Sequence, residues 1–422
     1  MTDAVEHLKT PAPQNHGATE SVTRSVATIL DDVRARGDAA VRDATSAFDG
    51  MTIDHAEVSD AEIETARSKL DADLLADMRY GIERITDFAE RQLATLSDLA
   101  CEPIPGLHLG HRHIPIQNVG CYVPGGRYPL LSAAQMTIIP AKVAGVEEVV
   151  ACTPPNAHPA VLVAAKLSGA DRIYRIGGAQ AVAAMAFGTE SVPTVAKIVG
   201  PGNKFVNEAK RQVFGTVGID QLAGPSEIYV LADGTGDPRT IAADLLGQAE
   251  HDVMARAGLI TTSRSLANAV LDEVDRQLAS LTTRDTAGPA WAQHGEIAVC
   301  PSLDVAIAYA DRVAPEHLQI HTDNPHEVAR RLTNYGSLFI GTNASVVYAD
   351  KIAGPNHTLP TQCAARYTGG LWVGSYIKTC THQWLDDQAL NAIAPVATRQ
   401  SEREGLDGHR RAALLRIDPN AV

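Results

Sequence analysis

Short β-branched runs alternate with helix-period stretches through the middle of this chain, and few folds accept that alternation. EEVVACTPP precedes HPAVLVAAKLSGA, DRIYRIGG precedes AQAVAAMAFG, and AKIVGPG precedes NKFVNEAKRQVFG. The pairing continues as EIYVLAD with DPRTIAADLLGQAEHD and GLITTS with RSLANAVLDEVDRQL. Strands and helices repeated at this length form βαβ units, and hence largely parallel sheets covered by helices on both faces. Two such blocks, residues 119–227 and 228–360, follow one another without a long linker. Residues 20–100 are helical instead: SVTRSVATILDDVRARGDAAVRDATSAFD and ADLLADMRYGIERITDFAERQLATL place apolar residues three and four apart. This helical block is expected to pack on the second α/β unit. The tail after residue 365, Gly-rich in YTGGLWVG and charged in SEREGLDGHRRAALLR, is too short for its own core and should dock on another domain or subunit.

Composition narrows the function classes. The 422 residues suffice for two or three domains, and 45% apolar with 20% charged types is ordinary for a soluble globular protein. Thirty-six Lys and Arg against 50 Asp and Glu leave a charge of −14 with no basic run, so neither nucleic acid nor an anionic membrane is an expected partner. The N-terminus lacks the apolar core of a secretion signal, and no apolar run is long enough to span a bilayer. Six scattered cysteines without a C-x-x-C pair suit a reduced, cytoplasmic protein with structural thiols.

Several segments carry chemistry-bearing residues. Glycine clusters at Gly125-Gly126, Gly177-Gly178 and Gly200-Pro201-Gly202 fall at strand-to-helix junctions. Such junctions are tight turns, and their helix N-terminal N–H groups also favour phosphate; the G-x-G-x-x-G dinucleotide fingerprint is missing. In LLGQAEHD, Gln248 and His251 stand three apart on an expected helix and can face one ligand, which is half a zinc site. Asp350 and His409 are possible distant partners that spacing alone does not select. Glu316 and His317 in APEHL open a strand; both can serve as general bases, and on an extended backbone they are expected to point apart. His108, His111 and His113 in HLGHRH lack a nearby carboxylate or Cys and are expected on a solvated strand edge.

Taken together, GCYVPGG, GGAQAVAAMAFGT, KIVGPGN, AKRQVFGTVGIDQLAGPSE, DLLGQAEHD, APEHL and GPNHTLPT resemble, in order, the motifs of the histidinol dehydrogenase family. The resemblance runs from about residue 20 to the last helix. It implies two incomplete Rossmann-like domains with parallel sheets, a helical N-terminal segment, small C-terminal tail elements and an intertwined homodimer in which the partner's tail completes each active site. The domains expected are 20–118 with 228–365, carrying zinc and the catalytic residues; 119–227, binding NAD+; and 366–422, docking on the partner. By the same resemblance, Gln248, His251, Asp350 and His409 hold zinc, and Glu316 and His317 are the catalytic bases. Ser226, His357 and Glu404 join the zinc ligands and His317 in contacting substrate, and Tyr122, Gln180 and Asn203 touch NAD+. The implied reaction takes a primary alcohol through the aldehyde to the carboxylate with two NAD+.

Two segments depart from the biosynthetic pattern: PGGRYPLLSAAQMT and ARYTGGLWVGSYIKTCTHQW. Both resemble the branch that includes sulfopropanediol 3-dehydrogenase, which implies (R)-2,3-dihydroxypropane-1-sulfonate or a similar small diol as substrate. An anionic head group wants a cation, and Arg127, Arg366, Lys378 and His382 are the candidates. Retained Glu404 and His409 keep L-histidinol as the alternative. A zinc hydrolase without NAD is opposed by the glycine clusters and the missing H-E-x-x-H. A non-catalytic paralogue is opposed by the intact Glu316, His317 and proposed ligands.

Overall fold

The computed structural model describes residues 5–13, 19–125 and 130–421. Strand β1 (Glu6–Lys9) leads to four helices: α1 (Glu20–Arg36), α2 (Asp38–Asp49), α3 (Asp60–Arg67) and α4 (Ala72–Leu93). Their ends are locally encoded. The Thr19 hydroxyl caps α1, Ser59 and Glu62 form a reciprocal capping box on α3, and the Asp71 carboxylate caps α4. Val22, Val26, Leu30 and Val33 form the single buried stripe of α1, so that helix needs an apolar surface to cover. An antiparallel pair follows, β2 (Leu99–Ile104) and β3 (Leu107–Pro115).

The first α/β unit comprises β4 (Asn118–Tyr122), α5 (Leu131–Val143), β5 (Glu148–Thr153), α6 (Pro159–Leu167), β6 (Arg172–Arg175), α7 (Gly178–Phe187), β7 (Lys197–Val199), α8 (Lys204–Val213) and β8 (Gly218–Ile219). Its sheet is parallel, in the order β6-β5-β4-β7-β8. The second unit comprises β9 (Glu227–Ala232), α9 (Pro238–Ala249), β10 (Arg256–Thr261), α10 (Arg264–Leu278), α11 (Arg284–His294), β11 (Gly295–Val299), α12 (Leu303–Val313), β12 (His317–His321), α13 (Pro325–Ala329), β13 (Ser337–Ile340) and α14 (Val346–Lys351). Its sheet runs β1-β11-β10-β9-β12-β13, parallel except for the antiparallel edge strand β1. The two units thus share one strand order, and the sheets are buried on both faces, as the unbroken apolar run IYVLA in β9 requires. The expected fold class of two Rossmann-like α/β units is the one observed.

The helical block sits elsewhere than expected. Helix α1 packs on α7 and α8, α2 on α7, α3 on α6 and α4 on α5, all in the first unit, so residues 20–93 extend that unit rather than the second. The reason is surface supply: α7 is apolar around its whole circumference, with eight of ten residues buried, and must be covered on its outer side as well. The tail docks on the rest of the chain through a strand. Strand β14 (Ile377–Leu385) pairs along its whole length with β3 of the same chain, giving the sheet β14-β3-β2, followed by α15 (Asp387–Arg403) and α16 (Asp407–Leu414). The histidine-bearing β3 is therefore a central strand and not an edge; His108 stacks on Trp384 with ring centroids 3.6 Å apart.

A buried ion pair fixes the end of the first sheet. Lys210 and Asp220 pair out of solvent; the Lys210 ammonium donates to the Gly200 and Gln221 carbonyls at 2.9 and 2.8 Å, and Asp220 accepts from the Gly200 N–H at 2.7 Å. Gly200 has φ 114°, and a Cβ there would run into the Tyr122 carbonyl, so the β7–α8 turn lies directly on the end of β4. Lys210→Met leaves Asp220 charged and buried without its partner. It should lower unfolding free energy by about 3–5 kcal/mol, read from urea denaturation of the purified protein; an unchanged midpoint would refute this account of the turn.

Candidate active site

The amino ends of β9 and β12 lie side by side in parallel register, His317 opposite Ile228. That register brings Glu316 and His317 onto one backbone residue. The Glu316 carboxylate accepts from the Glu227 N–H at 2.8 Å, while His317 Nδ1 lies 2.8 Å from the Glu227 carbonyl. The two side chains converge, 3.6 Å apart, instead of pointing apart. Glu316 precedes the strand and leaves a turn in which Ala314 is left-handed at φ 48°, so strand alternation does not govern it. Gly336 is needed beside this turn, because a Cβ there would press on the Glu316 carbonyl.

The Glu227 contact also sets the imidazole tautomer. A carbonyl accepts only, so Nδ1 carries the proton and Nε2 keeps its lone pair. Nε2 is buried without a hydrogen-bond partner, free to take a proton. Burial pulls the His317 pKa down to about 4, against the opposing pull of Asp350, and the ring stays neutral at pH 7. Burial drives the Glu316 pKa well above the ordinary carboxyl value, and the negative charge of Glu227 adds to the rise.

A second clasp comes from the segment after α14. Gln362 N–H donates to the Glu227 carboxylate at 3.0 Å, and Gly224 N–H donates to Thr361 Oγ1 at 2.5 Å. Asn356 reaches the Met136 carbonyl on α5 at 2.6 Å, so residues 356–362 tie the first unit to the amino edge of the second. Among the described residues, the non-glycine positions with positive φ are Ala314, Gln362 and Cys363, all beside Glu227 or Glu316. Strained backbone of this kind clusters at active sites and ligand clamps.

Asp350 on α14 is buried, with His357 Nδ1 3.4 Å from its carboxylate. Burial raises its pKa, but the His357 hydrogen bond and the nearby His317 and His251 outweigh that and hold it far below the usual range. Gln248 is buried in the last turn of α9, and His251 lies just past the helix end, its pKa lowered by the surrounding protein. Ser226 directly precedes β9. Gln248, His251 and Asp350 offer an amide oxygen, an imidazole and a carboxylate, donors that suit zinc. The set is partial: among the described residues, no three His, Cys, Asp or Glu side chains form a group able to hold a metal. Glu404 and His409 are exposed at the end of α15 and on α16, which packs on α15; among the described residues no hydrogen bond or ion pair joins them to this site.

The remaining positions gather at the other sheet. Tyr122 ends β4 and its hydroxyl accepts from the Gly178 N–H at 3.1 Å; burial pushes its pKa up to about 12. Gln180 donates to Asp49 at 3.3 Å, and Asn203 caps α8 by accepting from the Phe205 and Val206 N–H groups. Gly177, Gly200 and Asn203 therefore surround the carboxyl ends of β4, β6 and β7, at the point where the strand order reverses. That crevice is where open α/β sheets take nucleotides. Gly126, Arg127 and Tyr128 lie outside the described residues.

A model of the histidinol dehydrogenase family matches residues 12–417. The chain belongs to the histidinol dehydrogenase family. It is 45% identical to a histidinol dehydrogenase of Rhizobium meliloti, covering 94% of this chain and 93% of that one. It is 42% identical to a sulfopropanediol 3-dehydrogenase of Ruegeria pomeroyi, covering 98% and 96%. Its fold superposes on the histidinol dehydrogenase of Elizabethkingia anophelis with TM-score 0.91 at 34% identity, covering 97% and 94%. Histidinol dehydrogenase family members are oxidoreductases that convert an alcohol to an acid in two steps, NAD-dependent and generally zinc-binding. Among the described residues no helix is long and apolar enough to cross a membrane.

In this histidinol dehydrogenase family chain the sequence reading passed over Glu227, Thr361 and Gln362. Glu227 left a signal, a lone carboxylate opening an otherwise apolar buried strand. The Glu316 shift has a consequence for stability. Its folded pKa lies above the unfolded value near 4.5, so it favours folding fully below pH 4.5 and loses that contribution as pH rises through the folded pKa. Glu316→Gln keeps an acceptor for Glu227 and removes the loss. Thermal melts should show the variant gaining on wild type between pH 4.5 and pH 8; parallel curves would contradict the buried carboxyl.

Proposed function

We propose that this protein is a zinc- and NAD-dependent dehydrogenase that oxidises a primary alcohol through the aldehyde to the carboxylate in two hydride transfers. The carrying observation is the pair of backbone-clamped bases, with His317 Nε2 free beside a partial zinc donor set. His317 Nε2 takes the hydroxyl proton as the carbon loses hydride. The high pKa of Glu316 makes it the stronger base of the two, suited to draw a proton from water as it adds to the aldehyde. Glu316 passes that proton to the former carbonyl oxygen, and the neutral hydrate then gives a hydroxyl proton to His317 in the second oxidation. Gln248, His251 and Asp350, with His409 of a second copy, would hold zinc, which would anchor and polarise the substrate, and Tyr122, Gln180 and Asn203 would seat NAD+, which would supply the hydride acceptor. His357, Ser226 and the second copy's Glu404 complete the substrate contacts. Six unpaired cysteines suit a homodimer working in the reducing cytoplasm.

For substrate we propose 2,3-dihydroxypropane-1-sulfonate or a similar small anionic diol, on the strength of the two departing segments. Of the cations raised by the sequence, Arg366 lies just after the clasp segment, its Nε donating to the Cys363 carbonyl at 3.1 Å. Lys378 and His382 lie on β14, paired with β3. Arg366 is thus the better head-group partner. L-Histidinol is the second reading, favoured by the retained Glu404 and His409.

NADH formation by zinc-loaded protein, measured with both alcohols in parallel, tests the reading. Two NADH per sulfonate with histidinol silent is expected; two per histidinol would reverse the substrate order, and none from either would refute it. His317→Gln and Glu316→Gln should each lower turnover by about 10²–10⁴-fold.

Sharing of the site between copies has its own test. Mixing inactive Glu316→Gln and His409→Ala proteins through reversible dissociation should restore activity, because one site of each mixed dimer is intact. No recovery, with mixed dimers present by native mass spectrometry, would place His409 elsewhere.

A further inference from the structure

The face of β12 that bears His317 is polar from end to end. His317, Gln319 and His321 alternate with Leu318 and Ile320 and so share one side of the sheet. Their register partners Ile228, Val230 and Ala232 pack under α9 with Ile241, Ala242 and Leu245. All three polar side chains are buried, at 4%, 0% and 1% exposure. His317 Nε2, both amide atoms of Gln319 and both ring nitrogens of His321 have no hydrogen-bond partner, and neither does Asp244 Oδ2 on the facing helix. Asp244 lies on α9, one oxygen accepting from Ser345 at 2.8 Å. Burial raises its pKa, and the Ser345 hydroxyl, with the nearby Gln319 amide, offsets part of the rise. At the far end His321 faces Asp237, the surface residue that caps α9.

Six orphaned atoms between β12 and α9 are too many to leave bare. Each costs about 1–3 kcal/mol, and together they would rival the ~5–15 kcal/mol that holds a whole domain folded. The aliphatic neighbours offer no partner. Residues two apart on a strand stand about 7 Å from one another, a gap that one water bridges.

We propose that β12 and α9 enclose a file of ordered waters from His317 past Gln319 and Asp244 to His321 and Asp237, and that this file carries the reaction's protons out of the active site. The inference rests on the reaction proposed above. In each oxidation the C–H electron pair leaves as hydride to NAD+, and the O–H proton goes to His317 Nε2. The imidazolium gives that proton to the first water, and each water accepts one proton and releases one. His321 takes it on one nitrogen and releases the proton of the other, and Asp237 passes it to solvent. One proton leaves per NADH, and His317 is again neutral for the second oxidation. Gln319 and His321 are positioning and relay residues and touch no substrate.

Two measurements test this. A high-resolution crystal structure of the wild-type holoenzyme should show waters within hydrogen-bond distance of Gln319, Asp244 and His321; direct side-chain pairing without water overturns the inference. Gln319→Leu and His321→Leu should keep KM for alcohol and NAD+ while kcat falls at least about tenfold. The solvent deuterium effect on kcat should rise, and added imidazole should restore turnover. His321→Gln, which keeps a donor and an acceptor, should lose less than His321→Leu. Wild-type kcat in both leucine variants, or a loss that imidazole does not relieve, rejects the relay. A wet file in a protein that forms no NADH would sink the proposed reaction, and active enzyme with a dry file would sink only this inference.

Discussion

The parallel register of β9 against β12 is the constraint on which the site depends. Backbone pairing sets His317 opposite Ile228, so the groups of Glu227 at the sheet edge are met by the side chains entering the neighbouring strand. A strand slipped by one residue would turn His317 to the opposite face and break both bonds. One residue, Glu227, thus holds the acid–base pair, sets the imidazole tautomer and anchors, through its carboxylate, the segment bearing His357 and Gln362.

The two units use their sheets differently. In the first, the crevice at the strand-order reversal lies at the carboxyl edge, where Gly200, Tyr122 and Asn203 collect. In the second, the equivalent strand pair carries its bases at the amino edge. Residues 220–226 and 356–362 run between the two edges, and their contacts with α5, Glu227 and Gly224 bring a nucleotide-type crevice and an acid–base pair to one region. The buried Lys210–Asp220 pair stiffens the crevice at the turn lying on β4.

Much of this was legible without coordinates. The switch from helical to strand-helix periodicity located the α/β units, and cap residues such as Ser59 and Asp71 are local signals. Glu316, His317, Gln248, His251 and Asp350 stood out through motif order, and the structure brings His357, His317 and His251 close enough to Asp350 to hold its pKa down. Three things were not legible. Helix α1 has an apolar stripe that any apolar surface can cover, and only the all-round burial of α7 selects the first unit. The strand β14 pairs with β3 across more than 260 residues, a distance that local pattern does not report. The convergence of Glu316 with His317 depends on left-handed Ala314, whose residue type gives no warning of positive φ.

By itself the sequence determined what is local or ordered along the chain: element types, caps, the run of βαβ units, and the residues whose chemistry is worth carrying. Tertiary structure decided the rest, namely which surface each helix covers, which strand edge faces which segment, and which nitrogen of His317 is free. The physical reason is range. Propensity, capping and periodicity act over a few residues, whereas strand register, burial and the partner of a buried polar atom exist only once distant segments have packed together.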